Sequence, residues 1–182
     1  MLAYVDYPNS RRPSFGLHAS VGGLIGRDLR VGGFAGALRI RPIPALAVDI
    51  GVGIYGGSDY NDRERWEIPI TTDLIVFLNP SSPLQVYLVG GLGLSFAHVR
   101  GYNERLDRAD PERDYVYIGG QAGVGLEWRI AQWFAIHGDI RGFLRKRLDG
   151  DGGPEFIDPA SGDSTNASGG GLVNLGVTFY FR

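Results

Sequence analysis

Charged and imidazole side chains alternate with tryptophans and branched aliphatic residues in one stretch, GVGLEWRIAQWFAIHGDIR, Gly123–Arg141. The polar members stand at every second position on both sides of a two-residue break: Glu127, Arg129, His137, Asp139 and Arg141. His137 and Asp139 are the residue types of a hydrolase base and its orienting carboxylate, for which Ser95 or Ser20 would be the nucleophile. Residues two apart in a strand share a face but need not touch. A polar charge network is therefore the favoured interpretation, and we predict no catalytic residues.

A second group of chemically capable residues lies in the loop LDGDGGPEFIDPASGD, Leu148–Asp163. It contains five carboxylates, the ligands that calcium prefers, but their spacing departs from that of an EF-hand loop. The sequence therefore predicts a solvated loop, with no metal site and no cofactor. His98 is predicted to be an interfacial residue, and His18 a lumen or interfacial residue.

Composition limits the class of protein. The chain has 182 residues, a net charge of −2, 29 glycines, 43% hydrophobic residues and no cysteine. These values predict one globular domain, exclude a disulfide framework, and give no electrostatic reason to expect nucleic-acid binding. Apolar runs are far shorter than the roughly 20 residues of a spanning helix. We predict a single domain over residues 14–182 and an N-terminal periplasmic segment over residues 1–13, whose order the sequence leaves open.

The elements that position these residues have a period of two, which is typical of half-buried strands. Turn signals divide the chain into eight predicted strands, most of them as long as the roughly 9 to 11 residues that a tilted strand needs to cross a bilayer. They are Ser14–Gly26, Val31–Arg41, Ala45–Gly56, Arg65–Leu78, Leu84–Arg100, Asp114–Ile130, Trp133–Arg145 and Gly171–Phe181.

The predicted connections alternate between tight and long. The tight ones are Pro42–Pro44, Asn79–Pro83 and Ala131–Gln132, and the longer ones are Gly57–Glu64, Gly101–Arg113 and Lys146–Gly170, with Arg27–Arg30 as a short exception. If neighbouring strands pair up and down, all tight turns fall at one end of the sheet. Short turns at one end and long loops at the other are typical of an outer-membrane barrel.

Alternation alone leaves two barrels open, because a lipocalin-like carrier has its apolar face inside and a membrane barrel has it outside. The positions of the glycines favour the membrane barrel. A water-facing sheet gains nothing from rows of glycine, whereas glycine inside an eight-stranded barrel makes room for long charged side chains. We therefore predict an eight-stranded antiparallel up-and-down transmembrane β-barrel, all-β, with a polar lumen. Its predicted charge network consists of Asp49, Glu67, Asp73, Glu127, Arg129, His137, Asp139 and Arg141.

Aromatic residues mark both ends of the apolar face. We predict that they form the two interfacial girdles of a spanning barrel. The residues are Trp66, Phe96, Trp128, Trp133, Phe179 and Phe181.

The chain resembles the small eight-stranded outer-membrane barrels, of the outer membrane protein A and X kind, from proteobacteria. The resemblance lies in Gly123–Arg141, in LQVYLVGGLGLSFA at Leu84–Ala97, and in the ending GVTFYF at Gly176–Phe181. It implies an outer-membrane location. It also implies recognition of the last strand, with its terminal Phe181, by the outer-membrane assembly machinery.

Arginines gather at the end predicted to carry the long loops. Because guanidinium binds phosphate in a bidentate manner, we predict that several of them contact phosphates of lipopolysaccharide. The predicted contacts are Arg63, Arg65, Arg100, Arg113 and Arg145.

Three functions remain open at this stage. The leading hypothesis is a monomeric, non-enzymatic outer-membrane protein with a plugged lumen and a structural or surface-interaction role of its external loops. The alternatives are an outer-membrane enzyme that acts on lipid A acyl chains and a soluble lipocalin-like carrier of small ligands.

Overall fold

The computed structural model describes residues 14–26, 29–59, 63–103, 108–149, 156–157 and 164–181. The segment 1–13 lies outside the described residues. All eight predicted strands form, with ends that differ from the prediction by a few residues at most places. The strands are β1 (Ser14–Gly26), β2 (Leu29–Ile43), β3 (Leu46–Asp59), β4 (Glu64–Phe77), β5 (Leu84–Asn103), β6 (Arg108–Arg129), β7 (Phe134–Arg147), β8 (Phe156–Ile157), β9 (Ser164–Thr165) and β10 (Ala167–Phe181).

Eight of these strands close into one antiparallel barrel in the order β1-β10-β7-β6-β5-β4-β3-β2. Closure is made by the first and last barrel strands, which pair from Phe15 opposite Phe181 to Gly26 opposite Gly170. The short strands β8 and β9 form a separate two-stranded sheet. Each barrel strand has a neighbour on both sides, so that the barrel leaves no long unpaired sheet edge.

The stagger of the strands sets the width of the interior. Following directly paired residues once around the barrel leads from Arg100 on β5 back to Gly90 on the same strand, ten residues away. The path is Arg100, Glu64, Ser58, Arg30, Ile25, Gly171, Gly142, Ala122 and Gly90. Eight strands enclose an interior just wide enough for side chains to fill it.

The apolar face points outward and the polar face inward, as predicted. Leu92 is 71% exposed and Ile140 is 60% exposed, whereas Glu127 is fully buried. This orientation overturns the lipocalin-like hypothesis, which requires the aliphatic face inside. None of the described residues forms a helix long and apolar enough to cross a membrane.

The predicted loop at Gly101–Arg113 is mostly strand. β5 continues to Asn103 and β6 starts at Arg108, and the two pair beyond an irregularity between Val99 and Gly101. The prediction failed because the apolar alternation used to recognise a strand ends near Val99 in the sequence, whereas the two strands continue to pair. Gly57–Glu64 is likewise shorter as a loop, since β3 runs to Asp59 and β4 starts at Glu64.

Candidate functional site in the barrel interior

The interior of the barrel contains three groups of charged side chains, named here by their position. The turn-side group centres on Glu127, the central group on Asp139, and the loop-side group on Glu67. Alternation along the strands places all three, because every second side chain points into the lumen. Seven of the eight residues of the predicted charge network lie in these groups, and His137 lies beside the turn-side group. All eight are buried or nearly so.

The turn-side group is held by one carboxylate that serves several donors. Arg39 donates a hydrogen bond from Nη1 to Glu127 at 2.6 Å. It also donates to the Asp49 carboxylate from Nε and from Nη2, both at 2.7 Å. The Tyr180 hydroxyl donates to Glu127 at 2.9 Å, and Arg129 Nε donates at 3.2 Å. Bidentate guanidinium–carboxylate pairs of this kind are the strong class of charged hydrogen bond. Glu127 therefore joins β2, β6 and β10 across the lumen.

The two lumen histidines lie beside this group and do not form a hydrolase site. The rings of His18 and His137 are 4.2 Å apart, and Thr178 Oγ1 lies 3.4 Å from His137 Nδ1. Asp139 is bonded to other residues, and the Ser95 hydroxyl donates to Glu67 at 2.6 Å. The residues considered for base, orienter and nucleophile are thus not brought together.

The central group spans the barrel from β4 to β7. Arg141 donates to Asp139 from Nε at 2.7 Å and from Nη2 at 3.0 Å, and its Nη1 donates to Asp73 at 2.8 Å. Tyr87 and Asn174 each donate to Asp139 at 2.9 Å. Both carboxylates are satisfied by donors from other strands, as buried charges require.

In the loop-side group two guanidinium groups share one carboxylate, that of Glu67. Glu67 accepts hydrogen bonds from Arg145 Nη1, from Arg65 Nε at 3.1 Å and from Ser95. The Tyr117 ring lies under both guanidinium groups, 4.2 Å from that of Arg145 and 5.2 Å from that of Arg65. Cation–π contacts of this kind add to the ion pairs where water is excluded.

This arrangement corrects three of the predicted lipid contacts. Arg63, Arg65 and Arg145 are buried at 5%, 1% and 7% exposure, and they pair with Asp59 or Glu67. They face the lumen, so the prediction that they contact lipopolysaccharide phosphates was wrong. Arg65 shares the alternation parity of Glu67, and Arg145 that of Arg141, so the period-two pattern itself indicated the lumen. The prediction used their position near the long loops and did not consider which face of the strand they occupy.

Two other predicted lipid contacts lie at the surface. Arg100 is half-exposed and pairs with Glu64 through Nε at 3.1 Å. Arg113 is exposed next to the end of the β5–β6 hairpin. The predicted interfacial residue His98 is partly exposed and lies 2.7 Å from Asp114 through Nδ1.

Several interior residues were absent from the predicted network. Arg41 lies over the Phe77 ring, 3.9 Å from its centroid, and reaches Gln85 at 3.1 Å. Tyr87 and Tyr180 act as hydroxyl donors to buried carboxylates. Both tyrosines lie at lumen-facing positions of the same alternation. Tyrosine is also common on the outward face of barrel strands, so the residue type alone does not show that its hydroxyl points into the lumen.

Comparison with solved structures identifies the architecture. The chain is similar to Neisserial surface protein A, with TM-score 0.57, 16% identity, and coverage of 93% of this chain and 97% of that one. A major outer membrane protein from Thermus thermophilus gives TM-score 0.60, 15% identity and coverages of 93% and 99%. The N-terminal β-barrel domain of Pseudomonas aeruginosa OprF gives TM-score 0.55, 15% identity and coverages of 91% and 97%.

The chain has the fold of the small eight-stranded outer-membrane β-barrels. No family model matches its sequence. No curated protein matches it either.

Lumen glycines of this outer-membrane-type barrel fit the size of the side chains beside them. A Cβ atom at Gly123 would lie 2.8 Å from Arg141 Cγ, and one at Gly176 would lie 2.6 Å from His137 Nε2. By contrast, a Cβ atom at the outward Gly142 would meet nothing within 4 Å. Glycine thus makes room for the charged lumen residues, as the sequence predicted.

The six predicted girdle aromatics of the outer-membrane-type barrel are all exposed on its outside, between 40% and 60%. At the turn end the Trp133 and Phe179 rings stack with centroids 6.1 Å apart, and Phe134 lies 5.3 Å from Phe179. At the other end Trp66 donates from Nε1 to Glu64 at 2.8 Å. Each end of the apolar face thus carries aromatic rings, and at the loop end Trp66 has its polar atom bonded.

No cluster of histidine, aspartate or glutamate suited to a metal ion is present among the residues that the structure describes. Most of the acidic loop that was predicted to be solvated, from residue 150 to 155 and from 158 to 163, lies outside them.

Proposed function

We propose that this chain is an integral outer-membrane β-barrel whose lumen is closed by its ionic network and whose external end carries a structural or surface-interaction role. The observation that carries the proposal is the outward apolar belt combined with a charged interior. Large aliphatic residues are exposed on all eight barrel strands, while carboxylates and guanidinium groups are buried inside. A barrel in water would have its charged face outside, whereas a barrel surrounded by hydrocarbon has its apolar face outside, as here.

The size of the belt supports a membrane environment. Soluble monomers rarely expose an apolar patch larger than a few hundred Å². Here Ile50, Leu74, Leu126 and Val173 are each about half-exposed on four different strands. A belt that continues around the whole barrel has no soluble covering partner of comparable shape, whereas lipid chains cover it without any gap.

The similar solved proteins add support at the level of architecture. One is described as a surface protein and another as a major outer membrane protein. Their fold is the fold of this chain, and the outer membrane is where barrels of this kind are built to lie.

Exposed cations at the loop end are the proposed contacts to lipopolysaccharide phosphates. Arg100 and Arg113 are taken from the sequence prediction, and Arg30 and Lys146, which are exposed on the outer face of β2 and β7, are proposed in addition. Each basic residue near an anionic membrane surface contributes about 1 kcal/mol to binding. Lys146 is the single lysine of the chain.

Membrane insertion is tested by refolding the purified chain from urea into phospholipid vesicles. We expect the folded barrel to migrate faster than the boiled chain on a gel, and to resist protease except at its loops, because the belt is covered by lipid. A chain that stays folded and monodisperse in buffer without detergent would contradict the proposal.

Lipid contact is tested with Arg30, Arg100, Arg113 and Lys146 replaced together by glutamine. We expect affinity for lipopolysaccharide, measured by native mass spectrometry from detergent, to fall at least about tenfold, because each contact contributes about 1 kcal/mol. Arg63→Gln is the matched control, since this residue faces the lumen beside Asp59. Equal losses in both variants would refute the assignment.

A further inference from the structure

In the loop-side group the buried guanidinium of Arg145 is incompletely paired among the described residues. Arg145 donates to Glu67 through Nη1 and to Ser168 through Nε at 2.9 Å. Its Nη2 is buried and has no hydrogen-bond partner among the described residues. The side chain is only 7% exposed, and arginine does not lose its proton in proteins.

The carboxylate that faces Arg145 is shared. Glu67 also accepts from Arg65 and Ser95, so its two oxygens serve three donors. A buried charge is stable only when it is paired and hydrogen-bonded. Among the described residues, Arg145 therefore has one carboxylate partner that also serves other donors, and one donor without a hydrogen bond.

A cavity of about 80 Å³ lies against this guanidinium. Leu24, Pro69 and Phe143 supply apolar wall, and the polar lining includes Thr71 and Glu67, whose carboxylate is already engaged by its three donors. One water molecule takes about 30 Å³ of liquid volume, so the space holds a solute of a few heavy atoms. The apolar wall penalises a strongly hydrated ion such as sulfate more than a weakly hydrated one.

We propose that this cavity is a binding site for one small, weakly hydrated monovalent anion, of the nitrate or bromide class, held by Arg145. The anion accepts a hydrogen bond from Nη2 and places a negative charge beside a guanidinium whose carboxylate partner, Glu67, also accepts from other donors. This inference concerns the barrel interior and does not depend on the proposed membrane role. It can fail while membrane insertion succeeds, and the reverse also holds.

The test is thermal unfolding of the full chain, refolded in detergent, at constant ionic strength. Sodium gluconate, whose anion is too large for the cavity, is the baseline, and sodium nitrate or bromide replaces it stepwise. An anion present at about five times its Kd is expected to raise the midpoint by about 2–4 °C in a saturable manner. Arg145→Gln is expected to remove this rise, and Arg100→Gln, on the outer surface, is expected to keep it.

A second pair of variants guards against misfolding of Arg145→Gln. Leu24→Asp places a fixed carboxylate in the wall of the cavity that Arg145 lines, and Leu24→Asn is its neutral match. The aspartate variant is expected to be insensitive to nitrate, and the asparagine variant is expected to respond as the native chain does. Crystals grown with bromide are expected to show anomalous density beside Arg145 Nη2. A native midpoint that does not change with the anion, or the same change in Arg145→Gln, would overturn the site.

Discussion

Replacing Glu127 with glutamine is expected to lower the free energy of unfolding by about 3–5 kcal/mol, the cost of removing one partner of a buried ion pair. Glu127 is fully buried and bonds to Arg39, Arg129 and Tyr180. Glutamine keeps the shape of the side chain but carries no charge. Asp49 would then be the carboxylate left beside Arg39. The measurement is equilibrium urea unfolding of the barrel in lipid vesicles, followed by tryptophan fluorescence.

Glu64→Gln is the matched control for this experiment. Glu64 also pairs with an arginine, through Arg100 Nε at 3.1 Å, but both side chains are about half-exposed. Exposed pairs contribute about 0–1 kcal/mol, so a small effect is expected. If Glu127→Gln lowered the free energy of unfolding as little as Glu64→Gln, the ionic network would contribute little to stability. The proposal that this network holds the lumen closed would then be wrong.

Ile140→Arg is expected to destabilise the barrel by about 2–4 kcal/mol in a bilayer, the cost of arginine on the lipid face near the midplane. Ile140 is 60% exposed and lies near the middle of β7, opposite Val124 and Val173. On a water-facing surface the same exchange would be neutral within about 0.5 kcal/mol. The measurement is again urea unfolding in vesicles, supported by the fraction of chain that inserts.

Leu148→Arg is the control for position. Leu148 is 54% exposed and lies just past the end of β7, where its amide donates to the Val116 carbonyl at 2.8 Å. Arginine near the membrane interface costs only about 0–1 kcal/mol. In a bilayer the cost of an outward arginine depends on its depth. Equal effects at the two positions would therefore indicate that the outer belt does not face a bilayer.

The strand pattern shows how far sequence reasoning extends when one face is buried. β1 has the bounds that were predicted, Ser14–Gly26, because its apolar and small residues alternate from end to end. The predicted hairpin of β5 and β6 was too short, since the apolar alternation of the sequence ends near Val99 while strand pairing continues to Asn103 opposite Arg108. Hydrogen bonds continue there without a hydrophobic signal.

In the interior, the sequence predicted which charged residues face the lumen but not which of them pair. Alternation placed Asp49, Glu67, Asp73, Glu127 and Arg141 in the lumen, and the structure brings each of them into an ion pair. Which partner each one takes depends on the stagger between strands that are distant in the chain. Arg39 and Glu127 are 88 positions apart and bond at 2.6 Å. Nothing in either local sequence indicates the other.

The class of fold, the number of strands and the outward apolar face follow from the amino-acid sequence alone, because a period of two with glycines on one face is a local property of each strand. The pairing of the charges, and the lack of a hydrogen-bond partner for Arg145 Nη2 among the described residues, emerge only in the folded barrel. These features arise from closure of the barrel. Closure fixes the register of all strands together and brings residues from different parts of the chain to the same level of the lumen.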